Sequence, residues 1–219
     1  MPADGLQYQL YIMAGMNGAG FSAGEGIREG RQEGFRSNPA NPSITGRLDY
    51  APAAGLLVGT SFFAGDAAGD IDSVGSVTVT VWSADARYNA GRLSLRAVGS
   101  LISIGDASLL NIKFGGNVAD QIYGLYFEAA YNILPWADPE TDEQLFLFGR
   151  FEKYNTQAST TGFPPLLQYN RNDLVVGLTY KPVYNVAVKA DYTWLRNALN
   201  AGSARNTGQL NIGIGYFFF

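Results

Sequence analysis

The side chains that could do chemistry in this chain recur at alternate positions. They are Arg47 and Asp49, Asp85 and Arg87, Arg96, Glu128, Arg150 and Glu152, and Lys189 and Asp191. Alternation puts each set on one face of an extended strand. Carboxylates brought close, such as Glu128 with Asp85, are the raw material of acid–base catalysis. Here arginines and lysines interleave with them, and the chain has no His and no Cys. Nucleophilic catalysis of the Ser–His or Cys–His kind is therefore excluded, as is a disulfide framework. No metal-ligand cluster and no Gly-rich phosphate loop is present, so no metal and no cofactor is expected. The reading these residues support is a hydrated, ion-paired surface whose signs balance.

The strands that carry these charges share a frame. Each of I-T-G-R-L-D-Y (44–50), W-S-A-D-A-R-Y (82–88), L-Y-F-E-A-A-Y (125–131), L-V-V-G-L-T-Y (174–180) and L-N-I-G-I-G-Y (210–216) ends in a tyrosine before a turn or at the chain's end. Residues two, four and six before each tyrosine are uncharged: Leu48, Gly46 and Ile44, for example, or Leu178, Val176 and Leu174. Every charge falls on the other face. Strands running the opposite way continue the pattern, with Leu93, Leu95 and Ala97, then Leu145, Leu147, Gly149 and Phe151, then Val186 to Trp194 at alternate positions. A first strand, Leu6 to Ile12, alternates likewise. From Gly55 to Ala64 both faces are apolar or small, and the register is open.

Turns near 51–55, 89–91 and 182–185 are short, with a longer link at 133–143. Loops near 17–43, 65–76, 105–120, 155–172 and 197–208 are long. This predicts about ten antiparallel strands in an all-β, up-and-down transmembrane β-barrel, residues 1–219 forming one domain. Segment 17–43 carries mixed charges, including Glu25, Arg28, Glu29 and Arg31. It is expected as a flexible external loop, with a fold into the lumen as the alternative. The ten charged residues named above then line the lumen. Tyr50, Tyr88, Tyr131, Tyr180 and Tyr216 mark one membrane interface. Ten strands sit near the width that side chains fill, so the lumen is either salt-bridged and filled or open to water. A soluble barrel with an apolar core is the competing fold.

The bulk figures agree with the membrane reading. Only 16% of the 219 residues are charged, 13% are aromatic, 27 are glycine, and mean hydropathy is −0.03. No stretch approaches the ~18 apolar residues of a spanning helix. Net charge is −4, which argues against a nucleic-acid partner. Met1-Pro2-Ala3-Asp4 leads straight into a strand, as expected where an export signal has been removed or a Met added.

L-Q-Y-Q-L-Y-I-M-A-G-M-N-G-A-G-F-S, G-I-R-E-G-R-Q and N-P-S-I-T-G-R-L-D-Y-A-P-A-A-G-L-L-V-G-T-S-F-F-A-G-D, with A-D-A-R-Y-N-A-G-R-L-S-L-R-A, F-E-A-A-Y-N-I-L-P and V-A-V-K-A-D-Y, resemble bacterial outer-membrane porins of the phosphate-selective-porin (OprO/OprP-like) type. The likeness spans nearly the whole chain but consists of barrel grammar, not a signature. It implies a Gram-negative outer-membrane location, passive diffusion of small hydrophilic solutes, and a homo-oligomer or larger complex. It also implies surrounding outer-membrane lipids, and a C-terminal aromatic, Phe219, read by the barrel-assembly machinery. Such porins are longer, with more strands upstream, so the chain resembles their C-terminal portion. Their cation-rich lumen is not evident in the balanced charges, so phosphate selectivity is not carried over. The alternatives are a non-conducting anchor, scaffold or interaction protein and, third, a membrane-embedded hydrolase.

Overall fold

The structure, a computed structural model, describes residues 5–32, 34, 37–38, 41–69, 71, 74–138, 140–199 and 206–217. Phe219 lies outside the described residues. Ten strands form a single antiparallel sheet in chain order. They are β1 (Leu6–Ala14), β2 (Pro42–Ala53), β3 (Leu56–Asp66), β4 (Thr78–Ala90) and β5 (Leu93–Ile104). After the helix α1 (Ala107–Phe114) come β6 (Gln121–Asn132), β7 (Gln144–Ser159), β8 (Asn170–Lys181), β9 (Val186–Asn197) and β10 (Thr207–Tyr216). Each strand pairs with its sequence neighbours; β1 pairs with β2 and β10 with β9, and no β1–β10 ladder closes the sheet.

The alternation decides the two faces. On β8, Leu174, Val176 and Leu178 are exposed, while Asp173, Val175 and Gly177 between them are buried. A single-layer sheet can bury one face only by curling toward it. The inner face is thus the one with the charges, and the outer, apolar face has no cover. β3 resolves in the same register. Phe62 points out and stacks on Trp82 at 5.6 Å, and Phe63 points in against the buried cluster described below.

The outer apolar band has sharp edges on β7, β8 and β9. Phe151, Leu174 and Trp194 lie directly opposite one another, and the next outward row is Lys153, Asn172 and Arg196. At the other end lie Leu145, Tyr180 and Val188. From Tyr180 to Asn172 the strand runs about 27 Å at ~3.4 Å per residue. Tilted by ~40°, that is ~21 Å of height, near the ~25 Å band of transmembrane barrels.

The two ends of the sheet differ. Tight hairpins close the short-turn end. The link from β6 to β7 is braced by buried Asn132, whose Oδ1 accepts from the N–H groups of Leu134 (3.3 Å) and Leu145 (3.0 Å). At the long-loop end, three chain segments fold over the inner face and build an apolar core. Phe21, Ala67, Ala68, Val77, Val79 and Leu110 are among its buried members, with Ile104 and Ile122 from the strands. The described residues 17–32, expected as part of a flexible external loop, pack against the inner face. Gly18 N–H donates to Ala67 O (2.8 Å), Thr156 Oγ1 donates to Ala23 O (2.6 Å), and Arg171 Nη1 donates to Gly24 O (3.2 Å). These bonds tie this segment from β3 across to β7 and β8, because a polar, glycine-rich segment can satisfy its backbone against several partners at once. Helix α1 is locked by Asn111, whose amide bonds both the N–H and the C=O of Val118.

Leu110 is 1% exposed at the centre of this core. Leu110→Ala should cost about 2–5 kcal/mol locally. Hydrogen exchange should then show faster opening at Gly18 and the 67–77 segment, with the amides of β6–β8 unchanged.

Candidate functional site

The ten charged residues singled out from the sequence all lie on the inner face, in three ion-paired groups and one unpaired stretch. In the first group the Arg47 guanidinium grips two carboxylates. Nε and Nη2 donate to Asp49 (2.9 and 2.6 Å), and Nη1 and Nη2 donate to Asp85 (2.8 and 3.1 Å). Asp85 is on β4, two strands from Arg47 on β2, so the side chain must cross β3. It does so over Gly59, which lies directly opposite both Asp49 and Asp85. A Cβ at Gly59 would collide with Arg47 Nη2 and come within 2.8 Å of Asp49 Oδ1. The planar fork of arginine makes the double bidentate grip possible.

The second group is Arg150, with Nε 2.8 Å from Glu152 and Nη1 3.8 Å from Glu128. The third is Lys189, 3.6 Å from Asp191. Asp191 also accepts from Asn211 Nδ2 at 2.9 Å, so β10 is tied to β9 on the inner face. Arg87 and Arg96 face each other directly across β4 and β5. Among the described residues neither lies within ion-pair distance of a carboxylate, although Glu128 opposes Arg96 in register. The five carboxylates are thus committed to three cations, and Arg87 and Arg96 are left over.

That imbalance collects at the short-turn end. A cleft of about 400 Å³ is lined there by Arg92, Arg96, Arg150, Lys181 and Lys189, with Glu128 as its single carboxylate. Phe146 and Phe148 also point into it. Lys181 Nζ lies 5.5 Å from the Phe146 ring centre, and Lys189 Nζ lies 4.5 Å from that of Phe148. Lys189 reaches Phe148 on β7 from β9, across β8. Aromatic faces here steady the cations without neutralising them.

Sequence reasoning missed Arg92, Lys181 and the two phenylalanines. Lys181 follows Tyr180 directly and reads as part of the turn with Pro182. The ladder runs one residue further, pairing Lys181 with Gln144, so period-two counting carried past the tyrosine finds it. Phe146 and Phe148 sit on the charged face of a strand whose opposite face is also apolar, which hides them.

The interface tyrosines occupy the short-turn end of the outer face. Tyr50, Tyr88, Tyr131 and Tyr216 are exposed there, and Tyr180 Oη donates to Glu143 at 2.7 Å. Trp136 stacks on Tyr131 (5.5 Å) and Phe217 meets Tyr184 edge-on (5.8 Å), which widens the aromatic row.

The class defined by these observations is an all-β, up-and-down antiparallel sheet with an apolar outer and a charged inner face. No family model matches the chain. A protein of Aquifex aeolicus (strain VF5), described as an uncharacterized protein, is 29% identical over 202 residues, covering 86% of this chain and 45% of that protein. The chain thus spans less than half the length of this relative.

The crossing at Gly59 can be checked directly. Gly59→Val should displace Arg47 from Asp85 and lower stability by about 1–3 kcal/mol in denaturant unfolding. Gly213→Val, where an added Cβ meets nothing within 4 Å, should change it by less than about 0.5 kcal/mol.

Proposed function

We propose that the sheet is the wall of an outer-membrane β-barrel through which small hydrophilic solutes diffuse passively, with a preference for anions. The observation that carries this reading is the sorting of the two faces. Large apolar side chains, from Leu48 and Trp82 to Val176 and Ile212, are exposed on one side, and the cation-rich cleft lies on the other. A soluble sheet would bury the first face. Lipid is the solvent in which it is stable, and the inner face is then left for water and solute. The row of tyrosines, with Trp136, suits the headgroup level at the short-turn end. Lys153 and Arg196 suit the polar side of the opposite border.

The anion preference follows from the uncompensated cations. Arg96 lines the cleft with Arg92 and Lys181, and Arg87 lies directly across from it on β4. In a cleft walled by low-dielectric protein their field concentrates counter-ions. Lys181 is held against the Phe146 ring, which leaves its charge in place, whereas Lys189 and Arg150 share theirs with Asp191 and Glu152. A solute held this weakly can also leave, which conduction requires.

A second reading, a non-conducting anchor or scaffold, has one observation in its favour. The apolar core at the long-loop end lies across the inner face, where a solute would have to pass.

Two measurements test the proposal. In planar bilayers under a KCl gradient, the folded protein should give steady steps and a reversal potential on the anion side. Arg96→Glu should shift that potential toward cations. Silence from protein that runs as a heat-modifiable folded barrel on a gel overturns the channel in favour of the scaffold. Separately, Val176→Arg should cost about 2–4 kcal/mol in a bilayer if this face meets the lipid midplane, as read by urea unfolding from liposomes. A cost near zero would mean the face lies in water.

A further inference from the structure

We infer that the cationic cleft is a binding site for an amphipathic organic monoanion, a carboxylate carried on an apolar body the size of one ring, which it takes in preference to an inorganic ion. This rests on the reading that the inner face meets water and solute. The cleft lies on β5 to β9 and its side chains are sorted in rows across the strands. Arg96, Glu128 and Arg150 lie directly opposite one another in one row. The next inward row toward the short turns is Ser94, Ala130, Phe148 and Gly177, and it carries no charge. Beyond it, Arg92 O accepts from Asn132 N–H at 2.9 Å, and Asn132 opposes Phe146. An uncharged strip therefore runs between Arg96 on one side and Arg92 on the other.

The two phenylalanines are out of place on a purely ionic face. Neither belongs to the apolar core at the long-loop end. An inorganic anion gains nothing from them, since it is stabilised by its water and apolar groups beside it only displace that water. An apolar ring does gain, because it leaves water for an apolar surface and packs against another ring. Phe148 is buried, with Lys189 Nζ 4.5 Å from its ring centre, while Phe146 is half-buried and is the ring left to meet a ligand. Ala130 has no side chain beyond Cβ, so the floor between β5 and β7 is low. Those strands are two spacings apart, about 10 Å. A carboxylate held on the β5 side thus sets its ring over Ala130 and against Phe146.

The charges fit a carboxylate and a single one. Arg92 and Arg96 are exposed, and among the described residues neither lies within ion-pair distance of a carboxylate. A guanidinium fork takes a carboxylate through two parallel N–H bonds. Lys181, 5.5 Å from the centre of the Phe146 ring, adds attraction at the ring end without a fixed acceptor of its own. Glu128 lies opposite Arg96 in the same row. Its charge repels a second negative group there, which disfavours a multiply charged anion. A monoanion with an apolar body puts its one charge at the arginines and its body on the strip that has none.

The probes are benzoate, acetate as the same charge without a ring, and inorganic phosphate. Each is brought to equilibrium by dialysis against the folded protein in nonionic detergent, with protein-free micelles as the blank. Benzoate should bind about tenfold more tightly than either of the others, the gain expected from burying most of one ring. Phe146→Ala should bring benzoate down to the level of acetate. Ala130→Leu, which raises the floor without touching Phe146, should do the same, so that either variant decides if the other fails to fold. Arg96→Gln should weaken benzoate and acetate by a similar factor. Equal binding of benzoate and acetate, tighter binding of phosphate, or no retention of any probe overturns the inference. So does a benzoate preference that survives in the folded variants at Phe146 and Ala130. Conductance separates this from the channel reading. Ring-selective binding by a barrel that is silent in planar bilayers removes the channel and keeps the site, while steady anion conductance without ring-selective binding does the reverse.

Discussion

The constraint on which this molecule depends is the pairing of its backbone. Ten strands in chain order give each interior strand a ladder on both sides, interrupted only by register shifts between Tyr50 and Ala53 and between Gln121 and Tyr123. That pairing lets the outer face be apolar, because the peptide groups beneath a side chain such as Leu178 or Ile214 are bonded to the neighbouring strands and make little demand on solvent. The apolar band, the tyrosine row and the polar border at Lys153 and Arg196 are consequences at the side-chain level of a problem solved by the main chain.

The inner face solves a second problem, how to hold charge near a low-dielectric wall. An isolated ionised group there is costly. Arg47 meets this by engaging two carboxylates through its whole fork, and it can do so only because β3 offers Gly59 as a crossing point. Lys189 crosses β8 to reach the Phe148 ring. In both cases a long side chain bridges three strands, and so stiffens the sheet perpendicular to its ladders. The cations left over are those nearest the short-turn end, where hydration from the open side compensates them.

How far the sequence is legible follows from the same physics. Strand identity, order and inner face are readable on β2 and β4 to β9 because charged and apolar residues alternate there, and on β1 and β10 because polar or small and apolar residues do. The ten inner charges were found for that reason. β3 was not readable: Phe62 and Phe63 are adjacent, one stacked outside on Trp82 and one half-buried inside against the apolar core, and period-two logic cannot rank them. The segment between β1 and β2 was unreadable for a different reason. Its order comes from scattered backbone bonds and one buried ring, Phe21, and neither has a period. The cationic cleft was half legible: Arg96, Arg150 and Lys189 follow from alternation, whereas Arg92 sits in a turn and Lys181 one residue past the tyrosine that seemed to end the strand. The state of the edges left no mark, since β1 and β10 alternate like strands with two neighbours.

The two ends of the inner face stand in a relation that bears on how such a wall works. At the long-loop end the contents are apolar and close-packed, as in a soluble core; they are stable in water and would be wasted in lipid. At the short-turn end they are charged and wet. A close-packed end resists deformation, so it fixes the curvature of the strands that enter it, and that curvature persists down the ladders to the end where nothing apolar fills the space. The packed end can therefore hold the wet end open without lying in it. The same ten strands thus carry a close-packed apolar region at one end and a charged cleft of about 400 Å³ at the other.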